Sequence, residues 1–286
     1  MADVPLHESS AHLLDGPVRD LPDRVAGGVA ATLAARLGLR PADVDRSALV
    51  TAAIAEAERL SDVVVRPEHL VLAWALVTGV PPAPAREALQ VVVAEHAHAD
   101  YENLTPCPAA KPPLVVLVAG VPGTGKSTLA EGLARRLRAP VFSVDWHLGA
   151  LVPFGVLRED NAVPLAELTL TAATARQVRL GLDVIVDATA HRAETRARWR
   201  SLAAKLGGVF VGVKCVCSDE RAQRERVEGR SRGIPGWHPT VSWEHVQRMR
   251  ALWEPWDEPH LVIDSAVVPQ AAAVKEVLAH LGFTAG

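Results

Sequence analysis

Three glycines, a lysine and a serine at fixed spacing form the most distinctive chemical pattern in the sequence. Residues 120–127 read Gly-Val-Pro-Gly-Thr-Gly-Lys-Ser and follow the apolar run Leu114–Val118. This is a complete P-loop pattern, in which backbone N–H groups and a helix N-terminus converge on phosphate oxygens. We expect it to hold ATP and Mg²⁺. The residues predicted to contact the nucleotide are Gly120, Val121, Pro122, Gly123, Thr124, Gly125, Lys126, Ser127 and Thr128.

Within that set, two side chains have predicted chemical roles. Lys126 would reach the β- and γ-phosphates and stabilise the transferred phosphoryl group, and the Ser127 hydroxyl would bind Mg²⁺. A glycine-rich turn that binds nothing is the alternative, but every defined position matches in a strand, loop and helix context.

Carboxylates follow the predicted strands, where ligands bind in parallel α/β sheets. Asp145 comes after the short apolar segment 141–144 and is predicted to be the general base that accepts the proton of a substrate hydroxyl. Asp187 follows the apolar run 184–186 and is predicted to lie beside Mg²⁺ with Ser127. The two roles could be exchanged, and a helix N-cap or a turn is the alternative for each. For Asp264, a structural role is favoured.

Cations and polar side chains near these carboxylates are the candidates for phosphate and substrate binding. Segment 220–232 carries five arginines beside a Gly/Pro-rich loop, which predicts a mobile lid. Arg226 and Arg230 are four residues apart and would share a helix face, so they are predicted to stabilise the transferred phosphoryl group. The predicted substrate-side residues are Asp145, Trp146, His147, His191 and Arg192, with Arg196 as a further candidate.

The elements that must position these residues alternate between strand and helix from residue 114 onward. Strands are predicted at 114–118, 141–144, 184–186, 209–216 and 260–263, and helices at 126–138, 165–180, 192–206, 219–228, 242–253 and 270–281. This order predicts a doubly wound, five-stranded parallel sheet of the P-loop NTPase class.

The first 104 residues are predicted to be a small all-α domain. Helical patterns run over residues 20–37, from 41 or 45 to 60, 67–77 and 84–98. A linker at 105–113 is rich in proline, and residues 114–286 form the predicted catalytic domain. No catalytic constellation is evident before the linker, so we expect the helical domain to serve in oligomerisation, substrate capture or regulation.

Composition limits the possible partners. The net charge is −3, divided as 8 Lys/Arg against 15 Asp/Glu in residues 1–110 and 22 against 18 in the remainder. The absence of a basic stripe with interleaved aromatics argues against nucleic acid as a partner. Without a long apolar run or an N-terminal leader pattern, we expect a cytoplasmic protein with no membrane association. The three cysteines match no disulfide or zinc pattern.

Several segments together resemble a family of enzymes. These are GVPGTGKST at 120–128, VFSVDWH at 141–147, DVIVDATAHRAETRARW at 183–199, the arginine-rich segment and LVIDS at 261–265. They resemble small P-loop kinases of the zeta-toxin and polynucleotide-kinase-like group, with a core like that of chloramphenicol phosphotransferases. The resemblance covers about residues 111–286. It implies ATP at the P-loop, a base at the position of Asp145 and lid arginines at Arg226 and Arg230.

Three functions are compatible with these residues. The favoured one is a kinase that transfers the γ-phosphate of ATP to a hydroxyl of a small molecule, either a metabolite or an antibiotic. The second is a kinase of polynucleotide 5′-hydroxyls or of a nucleotide-sugar. The third is a nucleotide-gated regulatory ATPase that acts through its N-terminal helices.

Overall fold

The computed structural model describes residues 4–106, 111–158, 160–229, 233–236 and 241–283. The chain divides into two compact units. The N-terminal unit contains residues 1–98 together with 158–165, and the P-loop unit contains 99–157 and 166–286. The domain bounds predicted from the sequence, 1–104 and 114–286 with a linker at 105–113, stay predictions. The grouping of residues 158–165 with the N-terminal helices was not predicted.

Helices make up nearly all of the regular structure before residue 103. They are α1 (Glu8–Leu14), α2 (Leu21–Arg24), α3 (Gly28–Arg36), α4 (Arg46–Arg59), α5 (Pro67–Val77) and α6 (Pro82–Glu102), with a 3₁₀ turn at Val18–Asp20. The prediction of one helix over 20–37 was wrong. The chain leaves the helical conformation at Val25 and returns at Gly28, because Gly27 and Gly28 have φ of +73° and +67°, in the left-handed region.

Local signals account for the helix ends that the sequence did predict. The Asp45 carboxylate accepts a hydrogen bond from the backbone N–H of Ala48 at 2.8 Å and caps α4. Pro67 occupies the first position of α5, where its missing N–H costs nothing. The apolar faces of these helices meet in a core whose largest fully buried side chain is Trp74.

A buried carboxylate lies among the helices of the N-terminal unit. Glu56 of α4 is 4% exposed. Its Oε1 accepts from Arg86 Nη2 at 2.5 Å, and its Oε2 accepts from Arg86 Nε at 3.1 Å and Arg59 Nε at 2.8 Å. Arg59 also donates to Asp160 Oδ2 at 3.0 Å, which ties segment 158–165 to α4 within this unit. Burial alone would raise the pKa of Glu56, but the hydrogen bonds from Arg86 and Arg59 outweigh it and lower the pKa.

The P-loop unit is built on a parallel sheet with the strand order β2-β3-β1-β4-β5. Its strands are β1 (Leu114–Ala119), β2 (Val141–Ser143), β3 (Val184–Ala188), β4 (Val209–Val216) and β5 (Leu261–Asp264). Its helices are α7 (Lys126–Leu137), α8 (Val144–Leu151), α9 (Ala162–Arg179, of which 166–179 belong to this unit), α10 (Ala193–Lys205), α11 (Glu220–Glu228), α12 (Trp243–Ala251) and α13 (Gln270–His280). A 3₁₀ turn at Val152–Phe154 follows α8. The fold class predicted from the sequence is confirmed.

Strand β1 has buried side chains on both faces, which explains its uninterrupted apolar sequence. Val115 and Leu117 pack in a cluster that includes residues of α9 and α10. Val116 and Val118 pack in the opposite cluster, with residues of α7 and α13. Each fully buried side chain of this kind contributes roughly 1.5–3 kcal/mol. Cys215 is likewise buried in the second cluster, as expected for a small apolar residue.

No helix in the described part of the chain combines the length and apolar character that crossing a bilayer requires.

Candidate active site

The loop between β1 and α7 has the backbone geometry that the P-loop pattern predicts. Gly123 and Gly125 have φ of +85° and +84°, a conformation that side chains with a Cβ rarely adopt. Gly125 is the N-cap of α7, and Lys126 is the first residue of that helix. The helix therefore directs its N-terminal N–H groups into the loop, which is suited to bind an anion.

Helix α11 packs directly against this loop. A Cβ atom on Gly123 would lie 2.7 Å from Val227 Cγ2 and 2.9 Å from Gln223 Cγ. The fully buried Gln223 donates from Nε2 to the carbonyl oxygen of Pro122 at 2.7 Å. Gly123 is therefore required twice, once for its backbone conformation and once for the close approach of α11.

Lys126 and Asp187 form a buried pair beneath the loop. They are 6% and 3% exposed, and Lys126 Nζ lies 3.7 Å from Asp187 Oδ1. That distance is too long for a hydrogen bond, and Asp187 Oδ1 accepts none from the described residues. A buried carboxylate oxygen without a hydrogen bond is costly, so the site has an acceptor ready for a ligand.

The donor chemistry at this position suits magnesium. Mg²⁺ binds to one or two protein oxygens and completes its shell with substrate phosphates and water. Ser127, in the first turn of α7, supplies a hydroxyl, and Asp187 supplies the orphaned carboxylate oxygen. No cluster of three or more His, Cys, Asp or Glu suited to a metal occurs among the described residues. Any magnesium bound here would therefore depend on the nucleotide for part of its coordination.

Strand register brings Asp145 to the same edge of the sheet. Val118 of β1 pairs with Asp187 of β3, and Asp187 pairs in turn with Ser143 of β2. Asp145 follows Ser143 by two residues. The predicted strand over 141–144 is one residue too long, because α8 begins at Val144 and Asp145 lies in its first turn. A carboxylate there also stabilises the helix N-terminus.

The two residues after Asp145 differ in their surroundings. The Trp146 side chain is 56% exposed, so a large apolar surface faces solvent beside the aspartate. His147 is half-buried and its Nδ1 lies 2.9 Å from the carbonyl oxygen of Ser143, which ties the ring to its own helix. Of the two, Trp146 has the surface available for a substrate.

A pocket of about 380 Å³ opens beside the P-loop on the β5 side. Its lining includes Gly125 and Thr128 of the P-loop, Arg226 of α11, and Ser265 and Pro269 after β5. Arg226 donates from Nη1 to Ser265 Oγ at 2.9 Å. Asp264 accepts from the backbone N–H groups of Ser218 and Ala266, each at 3.0 Å, and so has the structural role expected of it. Arg230 lies outside the described residues.

The three predicted substrate-side residues after β3 do not share one environment. Arg192 is exposed at the N-cap of α10, whereas His191 is half-buried. Burial and then the charge of Arg192 lower the pKa of His191. Arg196 is only 1% exposed, and its guanidinium donates to the carbonyl oxygens of Ala190 and His191, each at 2.9 Å, and also to those of Glu254 and Pro255. It therefore holds loops together and does not face a substrate.

Sequence reasoning missed two residues of this site. Gln223 lies in a segment of arginines and glutamates that was interpreted as a charged lid helix. The available signal was that it is the only uncharged polar residue of 219–228. Ser265 follows Asp264 directly and ends the segment LVIDS, but no binding role was predicted for it. Both were missed because their partners, Pro122 and Arg226, are 101 and 39 residues away along the chain.

One protein-family model matches part of the chain. Residues 115–256 match the model described as AAA domain. The match includes β1, the P-loop, α7 to α12 and β4, and the structure of these residues is that of a P-loop domain. The finer resemblance to the zeta-toxin and polynucleotide-kinase-like group stays a prediction.

Curated relatives occur in mycobacteria. The uncharacterized protein Rv2004c of Mycobacterium tuberculosis (strain H37Rv) and the uncharacterized protein Mb2027c of Mycobacterium bovis are each 30% identical to the chain over 159 residues. The alignment covers 52% of this chain and 31% of each relative. The matched part of the chain thus spans about a third of the length of these relatives.

Solved structures of kinases are similar to part of the chain at low identity. A sugar kinase of Janibacter sp. HTCC2649 is 20% identical, with a TM-score of 0.46, and the match covers 61% of this chain and 96% of that one. A gluconokinase of Sinorhizobium meliloti 1021 is 23% identical, with a TM-score of 0.42 and coverage of 60% and 92%. The APS kinase CysC of Mycobacterium tuberculosis, in complex with AMPPNP and APS, is 20% identical, with a TM-score of 0.44 and coverage of 61% and 99%.

Proposed function

We propose that the protein is an ATP-dependent phosphotransferase that moves the γ-phosphate of ATP to a hydroxyl group of a small molecule. The observation that carries the proposal is the arrangement at one sheet edge. The P-loop and Asp187, whose buried Oδ1 accepts no hydrogen bond from the described residues, lie next to the strand that leads to Asp145. A hydrolase needs only the first two features. A carboxylate on the neighbouring strand adds a proton acceptor for a bound hydroxyl.

Each residue has a distinct part in this proposal. Lys126 and Arg226 stabilise charge on the transferred phosphoryl group, with Arg230 as the second lid arginine. Ser127 and Asp187 would hold Mg²⁺, which supplies charge neutralisation on the phosphates when bound. Asp145 takes the proton from the acceptor hydroxyl, and Trp146, His147, His191 and Arg192 are the residues proposed to contact the acceptor. The 380 Å³ pocket beside Gly125 and Thr128 is the proposed place of the nucleoside.

The experiment measures ADP release by the full chain with ATP, Mg²⁺ and a panel of acceptors. The panel contains sugars, sugar acids, nucleosides, hydroxyl-bearing antibiotics and a 5′-hydroxyl oligonucleotide. We expect ADP release to rise with one small acceptor and a phosphorylated product to accumulate in equal amount. Labelling of the oligonucleotide alone would favour the polynucleotide kinase instead.

Two variants separate the proposed base from the proposed metal ligand. Asp145→Asn should abolish phosphotransfer to the acceptor. The affinity for ATP, and the Mg²⁺ concentration at which ATP binding is half-maximal, should stay unchanged. Asp187→Asn should raise that Mg²⁺ concentration. If the two variants gave the reverse pattern, the two carboxylates would have exchanged roles. Normal transfer by Asp145→Asn would rule out Asp145 as the base.

A nucleotide-gated regulator is the second candidate, and one observation favours it. Residues 158–165 belong to the N-terminal unit, where Arg59 holds Asp160, yet they lie in the chain between α8, which carries Asp145, and most of α9. The N-terminal helices therefore hold a segment of the chain that follows the proposed base. Acceptor-independent hydrolysis and a nucleotide-dependent change of oligomeric state, both altered in Arg59→Met but not in Arg36→Met, would support regulation.

A further inference from the structure

A second pocket, of about 520 Å³, adjoins the P-loop and shares Thr124 and Cys215 with the lining of the proposed nucleoside pocket. Its lining includes Val121 and Thr124 of the P-loop, Lys214 of β4, Arg250 of α12 and Trp253. Neither Lys126 nor Asp187 lines it, and it is open to a ligand of metabolite size. The proposed phosphotransfer gives this pocket no role.

Two hydrogen-bond donors of the residues that line this pocket have no acceptor among the described residues. Lys214 is half-buried, and its Nζ lies 4.9 Å from the centre of the Trp253 ring. Burial and then the charge of Arg196 lower the pKa of Lys214, and no carboxylate is paired with it in the described part of the chain. The indole Nε1 of Trp253 is buried and donates to nothing among the same residues. Groups of this kind are costly to leave unpaired.

Arg250 is a second cation in the lining of the pocket, and the lining keeps an excess of positive charge. Arg250 donates to Gln223 Oε1, and its Nη1 lies 4.0 Å from Glu220 Oε2. Glu220 is the one carboxylate among the described lining residues, against the two cations Lys214 and Arg250. The buried thiol of Cys215 adds no charge, because burial raises its pKa to about 12.

We propose that this pocket binds a small oxyanion, either a phosphate or a carboxylate, through Lys214, Arg250 and the indole N–H of Trp253. The lining supplies donors and positive charge but little acceptor capacity, which is the complement of a carboxylate or phosphate group. The bound anion would also lie close to the loop that holds the nucleotide. Arg250 holds Gln223, and Gln223 holds the carbonyl oxygen of Pro122.

The test follows the indole N–H signal of Trp253 in the full chain labelled with [¹⁵N]tryptophan. Saturating ADP and Mg²⁺ first fill the P-loop, so that added anions do not compete for it. Inorganic phosphate and citrate are then titrated separately, with sodium chloride at equal ionic strength as the control. The Trp253 signal is identified as the one that Trp253→Phe lacks. We expect a saturable shift with phosphate or with citrate, and the responding salt identifies the anion class.

Variants of single lysines decide whether the response comes from this pocket. Lys214→Met should weaken the binding at least about tenfold, since a charge-assisted hydrogen bond is lost. Lys214→Arg should retain most of it, and Lys275→Met, which removes an exposed lysine of α13, should leave it unchanged. The melting temperature of each variant confirms folding. A linear response equal to that of sodium chloride, or equal affinity in Lys214→Met, would overturn the proposal.

Discussion

Both units bury a carboxylate beside a cation, but they bond it differently. In the N-terminal unit, every oxygen of Glu56 accepts hydrogen bonds from Arg86 or Arg59. In the P-loop unit, Asp187 Oδ1 lies 3.7 Å from Lys126 Nζ and accepts no hydrogen bond from the described residues. The protein itself satisfies a carboxylate whose oxygens all accept hydrogen bonds, whereas a buried oxygen without one is available to a ligand. The comparison indicates a structural role for Glu56 and supports the proposed role of Asp187 beside the metal.

The largest expected effect is on activity at the P-loop pair. Lys126→Met should reduce phosphotransfer about 10²–10³-fold, the usual result of removing one group that stabilises charge in the transition state. Asp187→Asn should cause a loss of similar size. Steady-state rates of ADP formation measure both effects. The unfolding free energy should change by no more than about 1 kcal/mol in Asp187→Asn, because the buried Oδ1 accepts no hydrogen bond from the described residues and a neutral amide is less costly to bury than a carboxylate.

The matched substitution in the N-terminal unit, Glu56→Gln, should lower stability and leave phosphotransfer nearly unchanged. Glu56→Gln removes the charge that Arg86 and Arg59 share, so the unfolding free energy should fall by about 2–3 kcal/mol, toward the lower limit for a buried pair because both arginines are partly exposed. Urea denaturation followed by circular dichroism gives this value. Phosphotransfer at low temperature should stay within about twofold of the wild type. A large loss of activity with intact stability would break the comparison.

A buried histidine, His69, should make the stability of the N-terminal unit depend on pH. His69 is 2% exposed, and its Nδ1 accepts from the backbone N–H of Arg66 at 3.1 Å. Burial lowers the pKa of His69 below 6.5, so the unfolded chain binds the proton more readily than the folded one. Stability is therefore fully present above pH 6.5 and declines as the pH falls toward the folded-state pKa. His69→Gln should flatten this decline in unfolding experiments between pH 7 and pH 5.

The smallest expected effect is at an exposed contact of the proposed nucleoside pocket. Ser265→Ala removes the hydroxyl that accepts from Arg226, an exposed side chain. One such hydrogen bond contributes about 0.5–1.5 kcal/mol, so the KM for ATP should rise about two- to tenfold while kcat changes little. Initial rates at varied ATP test this. An unchanged KM would place the nucleoside elsewhere.

Local patterns predicted those parts of the P-loop unit that depend on neighbours in sequence. The apolar strand predicted at 114–118, the glycine loop and the helix that starts at Lys126 follow from residue order, because propensity and turn chemistry act over a few residues. Helix α8 was not predicted, and the strand was extended to Val144, because Val144 is as compatible with a strand as with a helix start. Asp145 therefore lies in the first turn of a helix and not at the end of a strand. The catalytic roles of the site residues stay predictions.

Contacts between distant parts of the chain were beyond sequence reasoning. Nothing in the segment 219–228 shows that Gln223 is buried against Pro122, because its neighbours are arginines and glutamates. The same applies to Arg196, whose spacing from Asp187 suggested a substrate contact but whose guanidinium is used by four backbone carbonyls. A single sequence gives residue types and their order, and these contacts depend on tertiary packing.

The close approach of α11 to Gly123 has a consequence for how such chains evolve. A descendant that lost the use of ATP would be free to change Lys126 and Ser127, but a side chain at position 123 would still collide with Val227 and Gln223. Selection for folding alone would therefore preserve this glycine. In such descendants Gly123 would persist after Lys126 and Ser127 had changed, so the lysine and the serine are the positions that indicate whether nucleotide binding is retained.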